Sequence, residues 1–150
     1  MIDMETCIKI EGTWSQKMKK CNLILYHGTN SPDEIEGRGF KKGDVNLYGD
    51  GIYLFKDKKF AKAYGKNVIR VNTVIEKPFI FTDEQLKLYS KLYQEYTEKG
   101  SSFPKKEAIN EINRRYGYDS LRFTDFSKNK DGAIAWVIFN PDKIKVMDVT

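Results

Sequence analysis

Reactive side chains are scarce in this sequence of 150 residues, which has one histidine, His27, and two cysteines, Cys7 and Cys21. We therefore expect no metal site, because a zinc centre with three or four Cys and His ligands is not expected from one such chain. The cysteines do not form a CxxC pair, and we interpret both as reduced thiols. A Ser-His-Asp triad is possible only if His27 belongs to it.

Long apolar runs are also missing. No run approaches the roughly 20 residues that a membrane-spanning helix needs. The first six residues are acidic and lack the basic-then-apolar order of a signal peptide. We therefore expect a cytoplasmic protein without a membrane partner.

The composition is that of a folded globular chain, with 40% hydrophobic and 13% aromatic residues. A chain of this length fits one domain. We predict a single domain over residues 1–150, in which residues 1–21 are a variable lead-in.

Positive charge is concentrated in one segment. The net charge is +5, and residues 56–70 alone contain six basic residues against one acid, Asp57. This segment is either a solvated helix face or a surface that attracts phosphates, of a nucleotide or of a nucleic acid.

The order of the periodic segments predicts an α+β fold, because strands occur in separate clusters with helices between them. Asp57 is expected to cap the first helix and Gly65 to close it with a positive φ, while Pro78 breaks a strand. Thr82 and Gln85 resemble a capping box, and Gly117 is expected to end the helix that begins at Pro104. The predicted strands cover residues 22–27, 51–55, 67–75, 119–123, 133–139 and 144–149, and helices begin at residues 58, 82 and 104.

The tetrapeptide Tyr26-His27-Gly28-Thr29 is the first candidate site. A histidine that ends a strand, followed by glycine, places an imidazole beside backbone groups that no side chain covers. Such a pair can hydrogen-bond a planar amide and a sugar hydroxyl together. The alternative is a histidine that only completes a local network.

Two tyrosines provide the second candidate site. Tyr53 lies in the strand that follows Gly51, and Tyr64 lies eleven positions later on the next helix. Two such rings can hold a flat heteroaromatic ligand between their faces. Nine tyrosines in the chain make such pairs common, so this spacing alone is weak.

Combined in this order, the motifs YHGT, GIYL, AKAYG, YDSL and WVIFNPDKIKV resemble the ADP-ribosyltransferase superfamily. They are most similar to its His-Tyr-Glu branch, typified by poly(ADP-ribose) polymerases and small bacterial and phage toxins. The resemblance covers residues 22–149. It implies a split, mixed β-sheet with short flanking helices.

The resemblance also implies NAD as co-substrate and assigns residues to it. The family histidine bonds the ribose, which corresponds to His27, and the next glycine holds the nicotinamide carboxamide, which corresponds to Gly28. Tyr53 and Tyr64 correspond to the tyrosines that flank the nicotinamide ring. Thr29 and Gly51 complete the expected NAD-binding set.

One position departs from the family pattern, since Ala135 stands where the catalytic glutamate is expected. Ala61 likewise stands where members often have serine. Three explanations remain for Ala135: a toxic enzyme inactivated by a Glu→Ala change, a natural member that binds without turnover, or replacement of the glutamate by Asp131 or Asp125. Losing one preorganised electrostatic group typically costs about 10²–10³-fold in rate.

The sequence therefore predicts a glycosyltransferase that moves ADP-ribose from NAD to a macromolecular acceptor, a nucleic acid or a protein, with weakened activity. The resemblance suggests a bacterial or phage-related toxin or effector with a possible antitoxin partner. The alternative is a non-catalytic protein on the same fold that binds a nucleic acid or a partner.

Overall fold

The computed structural model describes residues 21–32, 35, 51–81, 83–126, 128 and 130–149. The lead-in before residue 21 and the expected cap at Thr82 lie outside these residues. The strands are β1 (Cys21–Thr29), β2 (Ile52–Phe55), β3 (Asn67–Ile75), β4 (Pro78–Ile80), β5 (Ser120–Asp125), β6 (Ala133–Ile138) and β7 (Ile144–Val149). The helices are α1 (Lys58–Ala61), α2 (Asp83–Glu98) and α3 (Pro104–Tyr116), and 3₁₀ turns cover Lys62–Tyr64 and Pro141–Lys143.

The described strands form one mixed sheet in the order β4-β5-β6-β2-β1-β3-β7. β4 pairs with β5 in parallel, and the other neighbouring pairs are antiparallel. The predicted α+β fold is confirmed. β1 and β2, which carry His27 and Tyr53, are neighbours near the centre of the sheet.

Alternation along β6 divides the core between the two faces of the sheet. Trp136 and Ile138 pack with Leu25 and Leu54 on one face. Val137 packs on the opposite face with residues of α2 and α3, among them Leu92. Because successive side chains of a strand point to opposite faces, one apolar segment serves both layers. The strand predicted over residues 133–139 is thus confirmed as β6, which ends one residue earlier at Ile138.

The Tyr118-Asp119-Ser120-Leu121 motif connects several elements through one carboxylate. Asp119 accepts hydrogen bonds from the backbone N–H groups of Glu76 at 2.7 Å and Lys77 at 3.2 Å. The ammonium group of Lys143 donates to it at 3.1 Å. The turn between β3 and β4 is therefore fixed to the start of β5 and to the turn before β7.

Two local predictions were wrong in detail. β1 does not stop at His27 but continues through Gly28 and Thr29, which pair with β3. Gly65 has an extended φ of 176° rather than a positive one. Pro78 follows the end of β3 at Ile75, as the sequence predicts, and it begins the short strand β4, which suits a residue without an N–H at an edge strand.

The helix ends also differ from the capping predictions. The Asp57 side chain makes no capping hydrogen bond to α1. Gln85 reaches back beyond Thr82, since its Oε1 accepts from the N–H of Ile80 at 3.0 Å. Gly117 ends α3 in the left-handed conformation at φ 69°, as the sequence predicts.

Candidate functional site

His27 is held where β1 and β2 run side by side. Its Nδ1 donates to the backbone carbonyl of Tyr53, with an N···O distance of 2.9 Å. Burial lowers the pKa of His27 below its usual 6.5, because desolvation disfavours the charged ring, and the bond to Tyr53 opposes this only in part. A neutral ring with its proton on Nδ1 presents Nε2 as an acceptor, which suits a sugar hydroxyl.

Gly28 lies against the backbone of α1. A Cβ built on Gly28 would lie 1.9 Å from the carbonyl oxygen of Ala61, and one built on Gly65 would lie 2.3 Å from the amide nitrogen of Thr29. Two glycines therefore let the end of β1 contact residues 58–65, here called the α1 segment, backbone to backbone. This close approach, rather than a positive φ, explains why residue 65 is a glycine.

Gly51 makes a similar contact on the other side of β2. A Cβ there would lie 2.6 Å from the carbonyl oxygen of Ile138. Gly51 thus lets β2 begin close to the end of β6. The structure gives this glycine a packing role beside its predicted place in the site.

The two predicted tyrosines have different aromatic partners. Tyr64 stacks on Phe55 with ring centroids 5.1 Å apart and an interplanar angle of 24°. Tyr53 packs edge-on against Phe123, with centroids 5.8 Å apart. In this structure the Tyr64 ring is thus stacked on a phenylalanine that the sequence analysis did not single out.

A cavity of about 310 Å³ opens beside Tyr64. The α1 side supplies Lys59, Phe60 and Tyr64, and the sheet supplies Phe55 and Ala133, with Asp125 and Lys128 where β5 ends. The cavity thus combines aromatic faces with two ammonium groups and one carboxylate. This combination suits a ligand that has both a flat ring and phosphates.

Asp125 and Tyr64 both line this cavity and are hydrogen-bonded to each other. The Tyr64 hydroxyl donates to Oδ2 of Asp125 at 2.5 Å. The Lys128 ammonium group lies 5.2 Å from the centre of the Tyr64 ring. Hydrogen bonds that involve a charged acceptor are short and strong, so the phenol holds the carboxylate in place.

Ala135 is enclosed in the sheet. It is paired with Phe55 of β2 and with Phe123 of β5, and it is fully buried. Its neighbours in the buried cluster are apolar, among them Ala61 and Val68. Ala133 lies two positions earlier on the same strand face and lines the cavity.

Phe55 and Lys128 were not predicted from the sequence as site residues, and Asp125 was predicted only as an alternative carboxylate. Phe55 looked like one more residue of an apolar strand. The pairing of Asp125 with Tyr64 joins residues 61 positions apart, a separation at which local spacing carries no signal.

A family model described as an ADP-ribosyltransferase in polyvalent proteins matches residues 21–149. The chain belongs to this ADP-ribosyltransferase family. The similarity to the superfamily expected from the motifs is thereby confirmed. The matched range contains both His27 and Asp125.

Among solved structures, one described as the crystal structure of an anti-CRISPR protein is similar to this ADP-ribosyltransferase family member. The two chains are 14% identical with a TM-score of 0.48, and the match covers 84% of this chain and 96% of the other. The sequence matches none of the curated proteins with which it was compared.

Two features are absent from the described residues. No helix among them is long and apolar enough to cross a membrane. They contain no group of three or more His, Cys, Asp or Glu residues that could hold a metal ion.

Proposed function

We propose that this protein binds NAD and transfers its ADP-ribose to a macromolecular acceptor, at a rate lowered by Ala135. The observation that carries the proposal is the His27–Tyr53 hydrogen bond at 2.9 Å, which orients a neutral imidazole between the two strands that bear the predicted site residues. Membership of an ADP-ribosyltransferase family supports NAD as the donor.

The roles of the site residues follow from this proposal. His27 accepts a hydrogen bond from a ribose hydroxyl through Nε2. Tyr64 offers an aromatic surface beside the nicotinamide, and Tyr53, whose carbonyl orients His27, lines the other side of the site. Gly28, Thr29 and Gly51 shape the backbone around the ligand, while Lys59 and Lys128 attract the pyrophosphate.

The lowered rate follows from the side chain at position 135. Breaking the bond between nicotinamide and ribose creates a positively charged, oxocarbenium-like sugar, which a nearby carboxylate stabilises. The methyl group of Ala135 carries no charge and is buried. We infer a rate about 10²–10³-fold below that of a protein with glutamate there.

The acceptor that we propose is a protein or a nucleic acid, and the biological role is that of a bacterial or phage-related toxin or effector, with an antitoxin as a possible partner. The basic segment at residues 56–70 supports an anionic acceptor. The buried, uncharged Ala135 favours a second candidate, a protein that uses this fold to bind a nucleic acid or a partner without turnover.

A calorimetric titration with NAD separates the two candidates. His27→Asn is the sharper variant, because an asparagine amide can still donate to the Tyr53 carbonyl but lacks the acceptor at Nε2. We expect His27→Asn and His27→Ala each to weaken NAD binding about tenfold, since each loses one hydrogen bond to a ribose hydroxyl.

The matched control is Asp142→Asn, which changes an exposed carboxylate in a turn outside the cavity and should leave NAD binding unchanged. The absence of NAD binding to the unmodified protein would contradict the transferase proposal. Equal affinities of the unmodified protein and a folded His27→Asn variant would remove His27 from the site.

A further inference from the structure

Asp125 is the carboxylate that the fold brings into the cavity beside Tyr64. It is the last residue of β5, and it is paired directly with Ala133 of β6. Both residues line the cavity. The carboxylate therefore enters the site from the strand next to the one on which the family pattern expects it.

The register of β6 explains why position 135 does not do the same. Ala135 is one pleat repeat further along the strand, about 6.8 Å from Ala133. At that level Phe55 and Phe123 flank the strand on both sides, and Ala135 is fully buried. Asp125 supplies a charge beside Ala133 in the cavity, whereas Ala135 is buried and carries no charge.

Tyr64 holds the Asp125 carboxylate at the wall of the cavity. Its hydroxyl donates to Oδ2 of Asp125 at 2.5 Å, while its ring stacks on Phe55 at 5.1 Å. A side chain held at both its hydroxyl and its ring face has little freedom to turn. The negative charge is thus preorganised next to the aromatic surface, which is what an electrostatic catalyst requires.

We propose that Asp125 is the catalytic carboxylate of this chain and that Tyr64 positions it. This inference rests on the proposed function. The bond between C1′ of the ribose and the nicotinamide nitrogen breaks, and its electron pair neutralises the pyridinium ring. Asp125 stabilises the cationic sugar. The acceptor oxygen then bonds to C1′ and transfers its proton to Asp125, which passes it to water.

Nicotinamide release from NAD, measured by chromatography with the protein in excess, tests this directly, with water as the acceptor. Asp125→Asn keeps the shape of the side chain and removes its charge. We expect release to fall about 10²–10³-fold, as for the loss of one electrostatic group, while NAD affinity changes little. Asp142→Asn is the matched control and should keep the original rate.

A second set of variants, made in an Ala135→Glu chain, distinguishes a catalytic role of Asp125 from a structural one. If Asp125 replaces the missing glutamate, Asp125→Asn should lower the rate strongly in the unmodified chain and much less in an Ala135→Glu chain. An equal loss in both backgrounds would mean that Asp125 only supports the fold. Tyr64→Phe keeps the ring but removes the hydroxyl, and it should lower the rate less than Asp125→Asn.

The inference and the proposed function fail in different ways. A folded Asp125→Asn variant that releases nicotinamide at the original rate would overturn the role of Asp125 and leave the transferase standing. NAD binding without any release by the unmodified protein would overturn it as well. If Ala135→Glu does not fold, the comparison of Asp125→Asn with Asp142→Asn still shows whether nicotinamide release depends on the Asp125 carboxylate. The absence of NAD binding would overturn both proposals.

Discussion

His27 combines a buried ring with a backbone hydrogen-bond partner, and this combination determines its charge near neutral pH. The Tyr53 carbonyl accepts from Nδ1 at 2.9 Å, but burial is the larger effect and lowers the pKa below 6.5. An imidazole in this state is an acceptor at Nε2 rather than a cation. The residue is therefore suited to a neutral hydroxyl more than to a phosphate.

The lowered pKa of His27 predicts a pH dependence of stability. Between the folded pKa and 6.5, the unfolded chain binds more protons than the folded one, so the free energy of unfolding rises with pH. This contribution is fully present above 6.5 and is lost as the pH falls towards the folded pKa.

Urea denaturation of the original protein and His27→Asn between about pH 5 and pH 8 measures this effect. We expect the original protein to lose stability relative to the variant as the pH falls. A difference between the two proteins that stays constant over this range would show that His27 does not titrate with a lowered pKa.

At the scale of elements, the site depends on the contact between β1 and the α1 segment. Gly28 faces the Ala61 carbonyl and Gly65 faces the Thr29 amide, so backbone meets backbone in both places. The same segment leads into Tyr64 and forms one wall of the cavity. Any change in this contact moves a wall of the site relative to the histidine.

Gly28→Ala should destabilise the protein by about 1–3 kcal/mol, because the new methyl group meets a backbone oxygen that cannot rotate away. Gly100→Ala is the comparison, since a Cβ there meets nothing within 4 Å and only the positive φ of 82° is strained. Chemical denaturation of both variants measures the difference. A smaller loss at Gly28 than at Gly100 would contradict the close packing.

The sequence predicted most elements of the fold, and it did so where one local pattern decides the outcome. Alternating Val and Ile residues placed β3, and Gly117 placed the end of α3. It failed at Gly65, whose small size serves a contact with Thr29 on another element. The meeting of Tyr64 with Phe55 and Asp125 depends on sheet order, which no local pattern encodes.

At the scale of the whole molecule, one sheet connects the buried clusters on its two faces. Trp136 and Val137 are adjacent in β6 but belong to opposite faces. Neither face can lose its packing without disturbing the strand that both share. The described part of the chain is therefore built to unfold cooperatively.

Cooperative unfolding can be tested with Trp136, which is almost fully buried. A Trp14→Phe variant leaves Trp136 as the sole tryptophan. We expect its fluorescence and the far-UV circular dichroism to change at the same urea concentration. Separate midpoints would show that the two faces unfold independently.

The two ends of the sheet differ in how readily they accept another strand. Among the described strands, β4 forms one edge with only three residues, and its first residue, Pro78, has no N–H to donate. β7 forms the other edge with six residues and no proline. Short edges and proline discourage intermolecular strand pairing, so self-association through added strands is disfavoured at the β4 edge.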